Sequence, residues 1–450
     1  MTHFVSSALR TLLLAVPFLY ADITVAAVSS QEAAELGKSL TPMGAERAGN
    51  QAGTIPAWTG GYNIDMPGSE HKKLNEDPYP QDKVLYSISQ GNMDKYADQL
   101  TNSVKRLLQT YPEYRLDVYP THRSASAPDW LYQYTRENAV TAELKNNDKS
   151  VMNAYGGVPF PIPKTGGEVV WNHILSWKGS SIQKDVALYL VDRSGRLSLT
   201  STIETDDLYR YFTPGGKEDF DGFWQLHRGL TTGPGRSAGE ALVGVWPIDF
   251  EAHSPGSWQY MPGQRRVRKL PNVQFDTPNF YVSGLMQFDE AYGWFGSPEQ
   301  YHWDLIGKQE MYVPYNTNKM MNADPEKAFG KGFIDPAVVR WELHRVWVVE
   351  GKVRDSVRNT VARRRIYVDE DSWNVIAADL WDGQDQLYRG AIAFTGVHYQ
   401  MPGVIAVPFQ AIDFQQQAYT VGEFVRAYDV VDPKPRSYFT AESLVQGALR

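Results

Sequence analysis

Hydrophobic and polar positions change rhythm along the chain. Up to about Ser150, apolar residues recur at helical spacing between Gly- and Pro-rich connectors. From about Val169 they come in short runs of β-branched and aromatic residues broken by turns. In the first part, Gln31–Leu40 reads as a short helix and Thr41–Gly68 as a connector. Asn92–Thr110 reads as a longer helix, with Asn92 as its cap and Tyr96, Leu100, Val104, Leu107 and Leu108 at helical spacing. A further helix is expected through Ala139–Asn146. Residues 28–150 thus form a helical and loop-rich lead-in, not obviously a separate unit.

In the second part, Asp185–Val191, the turn Asp192–Gly195 and Arg196–Thr205 make a hairpin. Ala241–Phe250, Trp258–Leu270, Tyr301–Val313 and Leu343–Val353 continue the strand pattern. A last hairpin joins Arg364–Val368 to Trp373–Trp381 through the acidic turn Asp369-Glu370-Asp371, and Asp382-Gly383 turns the chain into Gln386–Thr395. Pro336–Arg345 fits helix or strand. Successive hairpins predict a β-rich α+β fold, with a large antiparallel sheet over residues 151–450 and no βαβ units. So wide a sheet must curl or be covered. A curled sheet with an aromatic concave face is a natural container for an apolar ligand.

Composition sharpens this picture. The chain has 26 Tyr, 13 Trp and 18 Phe, enough to line such a face. The inward candidates are Trp171, Trp177, Tyr189, Trp246, Trp258, Tyr260, Trp303, Trp347, Trp373 and Trp381. Cysteine is absent, which excludes disulfides, thiolate metal sites, a Cys nucleophile and an acylated cysteine anchor. At the N-terminus, Arg10, the apolar run Thr11–Tyr20 and the small residues Val25-Ala26-Ala27 read as an export signal over residues 1–27. No later run approaches the ~20 apolar residues of a membrane span. The mature chain is therefore expected to be exported and soluble.

Net charge is −8, and together with export this argues against a nucleic-acid partner. The basic residues nevertheless cluster. Arg265, Arg266, Arg268 and Lys269 follow the Pro262-Gly263 turn, and Arg363, Arg364 and Arg365 open a later strand. Alternation sends Arg266 and Arg268 to one face and Val267 to the other. Two readings stand: a solvated face that protects a sheet edge, or a docking patch for lipid headgroups, phosphates or an acidic partner.

Catalytic signals are weak. Gly235-Arg236-Ser237-Ala238-Gly239 matches the nucleophile-elbow pattern, but turn-forming residues precede it and a strand follows, so it reads as a loop. Its alternative is a serine hydrolase using Ser237. His173, His227, His253, His302, His344 and His398 are scattered, with no HExxH, so no metal site is assigned. The acidic runs Glu204–Asp207 and Asp369–Asp371 lack the spacing of a calcium loop and read as solvated turns. Gly229–Gly239 lacks a phosphate-binding Lys. No cofactor is expected.

Several segments together resemble the family called domain of unknown function 1329. They are Leu36–Gly61, Phe160–Ile174, Trp258–Asn279, Asp304–Asn316, Arg340–Val349 and Arg363–Asp382. The resemblance implies a periplasmic half-barrel similar to lipoprotein carriers, and a partnership with a membrane transporter or outer-membrane protein. It carries over no catalytic residue. The expected function is a noncatalytic periplasmic carrier or chaperone for a lipid or acylated cargo. The alternative is an adaptor that docks a partner through the basic hairpins.

Overall fold

The hairpins pair into one sheet of fifteen strands. The computed structural model describes residues 28–62, 72–270 and 276–448; the expected export signal, residues 1–27, lies outside them. In chain order the strands are β1 (Tyr86–Ser89), β2 (Arg115–Val118), β3 (Glu143–Lys145), β4 (Ser150–Met152), β5 (Ser181–Val191), β6 (Leu197–Leu208) and β7 (Phe223–Gly233). Next come β8 (Ala241–Pro247), β9 (Gly256–Met261), β10 (Arg266–Lys269), β11 (Tyr301–Pro314), β12 (Trp341–Val353) and β13 (Arg363–Asp369). The last are β14 (Val375–Trp381), β15 (Leu387–Ala393), β16 (Gly396–Val397), β17 (Val404–Ile405), β18 (Phe409–Asp413) and β19 (Ala418–Val430). The helices are α1 (Ser30–Ala33), α2 (Asn102–Thr110), α3 (Asp129–Thr141), α4 (Gly166–Ile174), α5 (Pro325–Ala328) and α6 (Ala441–Ala448).

The sheet runs β1-β2-β12-β13-β14-β15-β18-β19-β5-β6-β7-β8-β9-β10, with β11 also on β12. It is open, since β10 at one end never meets β1 or β11 at the other. Neighbours are antiparallel except where Val118 of β2 meets Trp341 of β12. Register shifts at Leu305/Gly307, Leu188/Tyr189, Tyr367/Val368 and Val421/Phe424 interrupt the ladders. Such bulges bend their strands, as a wide sheet requires.

Both faces are covered. On β15, Ala391 and Ala393 join the core around Val169, Val170 and Trp171 of α4, whereas Ile392, and Phe394 just beyond the strand, join a second core around Val104, Leu107 and Leu108 of α2. All seven residues of β14 are buried, as expected for a strand between two layers.

The lead-in departs from expectation in ways that anchor it to the sheet. Its first helix is only α1, and Ala139–Asn146 ends α3 and turns into β3. Asn92–Thr110 is broken: a 3₁₀ turn over Met93–Gln99 is followed by extended Leu100, and α2 restarts with Thr101 as its cap. Asn92 accepts instead from Ser89 N. The cause lies on β14, where the buried Asp379 carboxylate accepts from Asn102 N (2.8 Å), Ser103 N (2.8 Å), Ser103 Oγ (2.5 Å) and Tyr367 Oη (3.0 Å). A carboxylate at the start of α2 binds its free amides and complements its dipole. Asp379→Ala is expected to lower stability by about 2–3 kcal/mol, read from urea unfolding. A loss below about 0.5 kcal/mol would show that the anchor is not needed. Pro336–Arg345 resolves into a 3₁₀ turn over Pro336–Val338 and the start of β12.

Candidate functional site

A cavity of about 50 Å³ lies between the sheet and its cover. Strands β5, β7 and β19, with Tyr209 just after β6, line one side; α4, the segment 292–295 and residues 405–407 line the other. Its wall is mainly apolar and aromatic, with Tyr209, Trp224, Tyr292, Trp294, Phe295 and Tyr428. That volume holds a few water-sized groups and is too small for a long acyl chain in this conformation. This part of the interior is therefore nearly filled.

Two lysines enter this wall. Lys184 pairs with Glu423 (2.9 Å) and with buried Asp207 (3.3 Å), which also accepts from His227 Nδ1 and Gln225 Nε2 (2.9 Å each). Tyr292 Oη donates to Glu423. Burial opposes the Lys184 charge, but Glu423 and Asp207 overcome it and raise the pKa. Lys178 has no carboxylate in ion-pair range among the described residues. Its amine donates to Ser176 Oγ (2.9 Å) and Ile174 O (3.3 Å) and sits 5.9 Å from the Trp224 ring centre. Burial, and then the charge on Lys184, bring Lys178 down to about 7.

The wall also holds unused donors. Trp224 Nε1 and Trp294 Nε1 are buried and meet no acceptor among the described residues. Nearby His173 is satisfied: Nε2 donates to Trp294 O (3.0 Å) and Nδ1 accepts from Val375 N (3.0 Å). Burial lowers its pKa to about 3. An unfolded His binds a proton near pH 6.5, so this group contributes stability that is present above that pH and is lost as pH falls from about 6.5 towards 3. His173→Gln is expected to flatten that part of a stability-against-pH curve; an unchanged slope would assign it to the buried carboxylates.

None of the ten aromatic candidates from the sequence lines this cavity. Trp171, Trp177, Trp303 and Trp373 are core residues whose indole nitrogens donate to Asp148 O, Pro402 O, Pro298 O and Met43 O. Trp347 stacks on Trp373, and Trp246 packs edge-on to Phe295. Tyr189 lies in the opposite core with Phe329 and Phe424. Trp258 and Tyr260 pack under α6, and Trp381 lies beneath Arg363. Trp171 lies on α4 and Trp177 and Trp373 lie off the strands, so alternation did not place them, and Tyr189, Trp258 and Trp347 are only half-buried. The lining residues Trp224 and Trp294 were missed because nothing local distinguishes an indole with an unmade hydrogen bond.

The basic clusters separate. Arg265, Arg266, Arg268 and Lys269 are all exposed on or beside β10, the strand that ends the sheet. Val267 turns to the apolar cluster of Ala241, Val243, Tyr260 and Leu444, as alternation requires. The second cluster is corrected: Arg364 is fully buried, so it is not a docking residue. Period-two alternation sends it inward, where its guanidinium meets Asp289 (2.9 Å) and Tyr301 Oη (2.7 Å). Arg363 pairs with Asp385 and covers Trp381, and Arg365 pairs with Glu350 (2.7 Å).

A strand does precede Ser237, since β7 runs to Gly233, but β8 rather than a helix follows, and Ser237 Oγ donates to Pro234 O (3.2 Å). Among the described residues no histidine hydrogen-bonds to it, so a base is missing. Fluorophosphonate labelling is expected to leave the protein unlabelled. Labelling that disappears in Ser237→Ala would restore the hydrolase reading.

Comparison with known proteins agrees with the sequence segments above. The model of the family described as protein of unknown function (DUF1329) matches residues 87–445. An uncharacterized protein of Pseudomonas aeruginosa is 34% identical over 452 residues, covering 96% of each chain. Among solved structures, a Vibrio parahaemolyticus domain named for outer membrane lipoprotein sorting aligns with TM-score 0.44 and 11% identity, over 62% of this chain and 97% of that one. A LolA superfamily protein from Nitrosomonas europaea aligns with TM-score 0.37 and 12% identity, over 62% and 100%. A DUF1329 family protein from Desulfovibrio piger aligns with TM-score 0.39 and 13% identity, over 59% and 92%. The match along most of the sequence and the extended relationship to the Pseudomonas protein make this chain a member of the DUF1329 family.

Proposed function

We propose that this protein is a noncatalytic periplasmic carrier for a lipid or acylated cargo, and that the cavity beside Lys178 receives the cargo's acidic or carbonyl end. One observation carries the reading: among the described residues, an apolar aromatic wall presents an amine with no carboxylate in ion-pair range and two indole N–H groups without acceptors. Unpaired buried donors are costly, and an oxygen-rich head on an apolar chain would satisfy them. Each methylene then buried would contribute roughly 0.8 kcal/mol. The small volume means that the cover over residues 292–295 and 405–407 must shift to admit the chain. Native mass spectrometry with lipid extraction, on protein isolated from periplasm without detergent, is expected to show a stoichiometric acylated adduct. A clean apo mass from protein that also takes up no lipid in vitro would refute carriage.

The exposed row Arg265, Arg266, Arg268 and Lys269 supports a second element of this reading, a docking edge for an anionic surface or an acidic transporter or outer-membrane partner. Charge attraction of this kind is screened by salt. The double variant Arg266→Glu, Arg268→Glu is expected to abolish cosedimentation with vesicles rich in phosphatidylglycerol, and 0.5 M salt should do the same to the wild type. Equal sedimentation of both proteins would leave the row as edge protection alone.

A further inference from the structure

The turn Asp369-Glu370-Asp371 is not solvated. Its residues are 0%, 1% and 4% exposed, beside Glu342 (0%) and His344 (1%) of β12. Most of this buried charge has a partner. Asp371 accepts from Arg123 Nε (2.8 Å) and Nη2 (2.7 Å), Glu370 meets Arg345 and Lys308 (3.0 Å each), and Glu342 accepts from Arg340 Nε (2.5 Å).

Asp369 is the exception. Its Oδ2 accepts from Tyr315 Oη (2.9 Å), Ser372 N (3.0 Å) and Ser372 Oγ (2.6 Å), all neutral donors. Its Oδ1 is buried and meets no donor among the described residues. His344 stands next to it with one nitrogen committed. Nε2 donates to Glu342 Oε2 (3.0 Å), because a carboxylate can only accept, and the ring stacks on Tyr315 at 3.8 Å. That tautomer leaves Nδ1 with a lone pair. His344, Asp369 and Asp371 each offer a ligand atom, all within 4.8 Å of one another.

We propose that His344, Asp369 and Asp371 bind a divalent transition-metal ion of the zinc class, with Glu342 orienting the imidazole. One imidazole nitrogen and two carboxylate oxygens suit such an ion. Calcium wants six to eight oxygens and magnesium keeps its waters, so neither suits this donor set. The carboxylate–histidine pair is the outer support that metal-ligating histidines use. The cation supplies the counter-charge that Asp369 lacks. Without it, burial and the neighbouring Asp371 hold the Asp369 carboxyl above the usual carboxylate range. The ion would join β12 to the β13–β14 turn, and through Arg123 to the loop before α3. Its role is structural, independent of the cargo cavity, which is lined by other residues.

The test is calorimetric titration of ZnCl₂ into untagged, chelator-stripped full-length protein at pH 7.5, with a thermal melt alongside. We expect one ion per chain, a micromolar or tighter Kd, and a melting midpoint raised by roughly 3 °C at a hundredfold excess over Kd. Glu342→Gln should weaken binding by about 10- to 100-fold while the circular dichroism spectrum stays unchanged. His344→Gln and Asp369→Asn should abolish it. Affinity should fall at pH 5.5, because the ligands must be deprotonated. The wild-type titration needs no variant to fold. Absence of stoichiometric uptake with Zn²⁺, Mn²⁺ and Ni²⁺ would overturn the proposal and leave a protonated Asp369 as the resident of the pocket. Uptake unchanged in both His344→Gln and Asp369→Asn would equally overturn it, by placing the ion elsewhere.

Discussion

Arg364→Leu is expected to cost about 3–5 kcal/mol of stability, because it leaves Asp289 charged and buried without a partner. Arg364 has no exposed surface, donates through Nη2 to Asp289 and Tyr301, and lies 4.4 Å and 4.5 Å from the ring centres of Trp294 and Tyr301. Its neighbours make the loss worse. Glu290 is buried beside Asp289 and is pushed up to about 7 by burial, although Arg389 (2.6 Å) and Arg364 oppose that shift. Removing Arg364 removes part of this restraint. Replacing both members of the pair, as in Arg364→Leu with Asp289→Leu, should recover most of the loss, since a packed apolar pair avoids desolvating two charges. Urea unfolding followed by tryptophan fluorescence measures all three proteins. A single variant within about 1 kcal/mol of wild type would mean that Asp289 is already neutral. Trp294 rests on this guanidinium and also lines the cavity, so even a mild Arg364→Lys change should alter cargo binding before it unfolds the protein.

Lys178→Met should weaken binding of a dansyl-labelled undecanoate by about tenfold or more, the worth of one charge-assisted hydrogen bond. The same amine gives the wild type a pH signature. The carboxylate head binds the protonated form, so affinity should decline as pH rises through and beyond 7. The apo-protein should show the matching trend in stability. An unfolded lysine holds its proton to about 10.5, whereas Lys178 releases it near 7 in the fold. Between those values the unfolded state binds more protons, so this group makes stability rise with pH, and below 7 its burial is a standing penalty. Lys178→Met should remove both slopes together. If the methionine variant binds the probe as tightly as wild type at pH 6, the amine is not the head-group contact. Tighter binding by the variant would indicate a purely apolar cargo.

Much of the architecture was legible along the chain. The hairpins at Asp185–Thr205, Trp258–Leu270 and Arg364–Trp381 were read from alternation and turn chemistry, both local properties, and they fold as β5–β6, β9–β10 and β13–β14. The family segments were equally readable, and the match over residues 87–445 covers all of them except Leu36–Gly61. Errors gathered where a distant group overrides local preference. The continuous helix expected over Asn92–Thr110 is broken before α2, whose first amides are claimed by Asp379 more than 270 residues away. The acidic turn reads as solvated because three successive carboxylates are costly to bury. Their partners Arg123, Arg345 and Lys308 are remote, and nothing near the turn announces them.

What the sequence determined by itself is therefore the hairpins β5–β6, β9–β10 and β13–β14 with β8, β11, β12 and β15, the absence of thiol chemistry and the family, whereas β7, β18 and the long β19 were not read from it. Period-two alternation even implies that Arg364 and its neighbours face opposite ways. Only the tertiary structure decided which face of the sheet is which, because pairing order joins β19 to β5 and covers both faces with separate layers. It alone placed Lys178 out of ion-pair range of any carboxylate among the described residues, and His344 beside Asp369. A charge's chemistry depends on burial and on neighbours within a few ångströms, and the chain brings those neighbours from positions that no local pattern links.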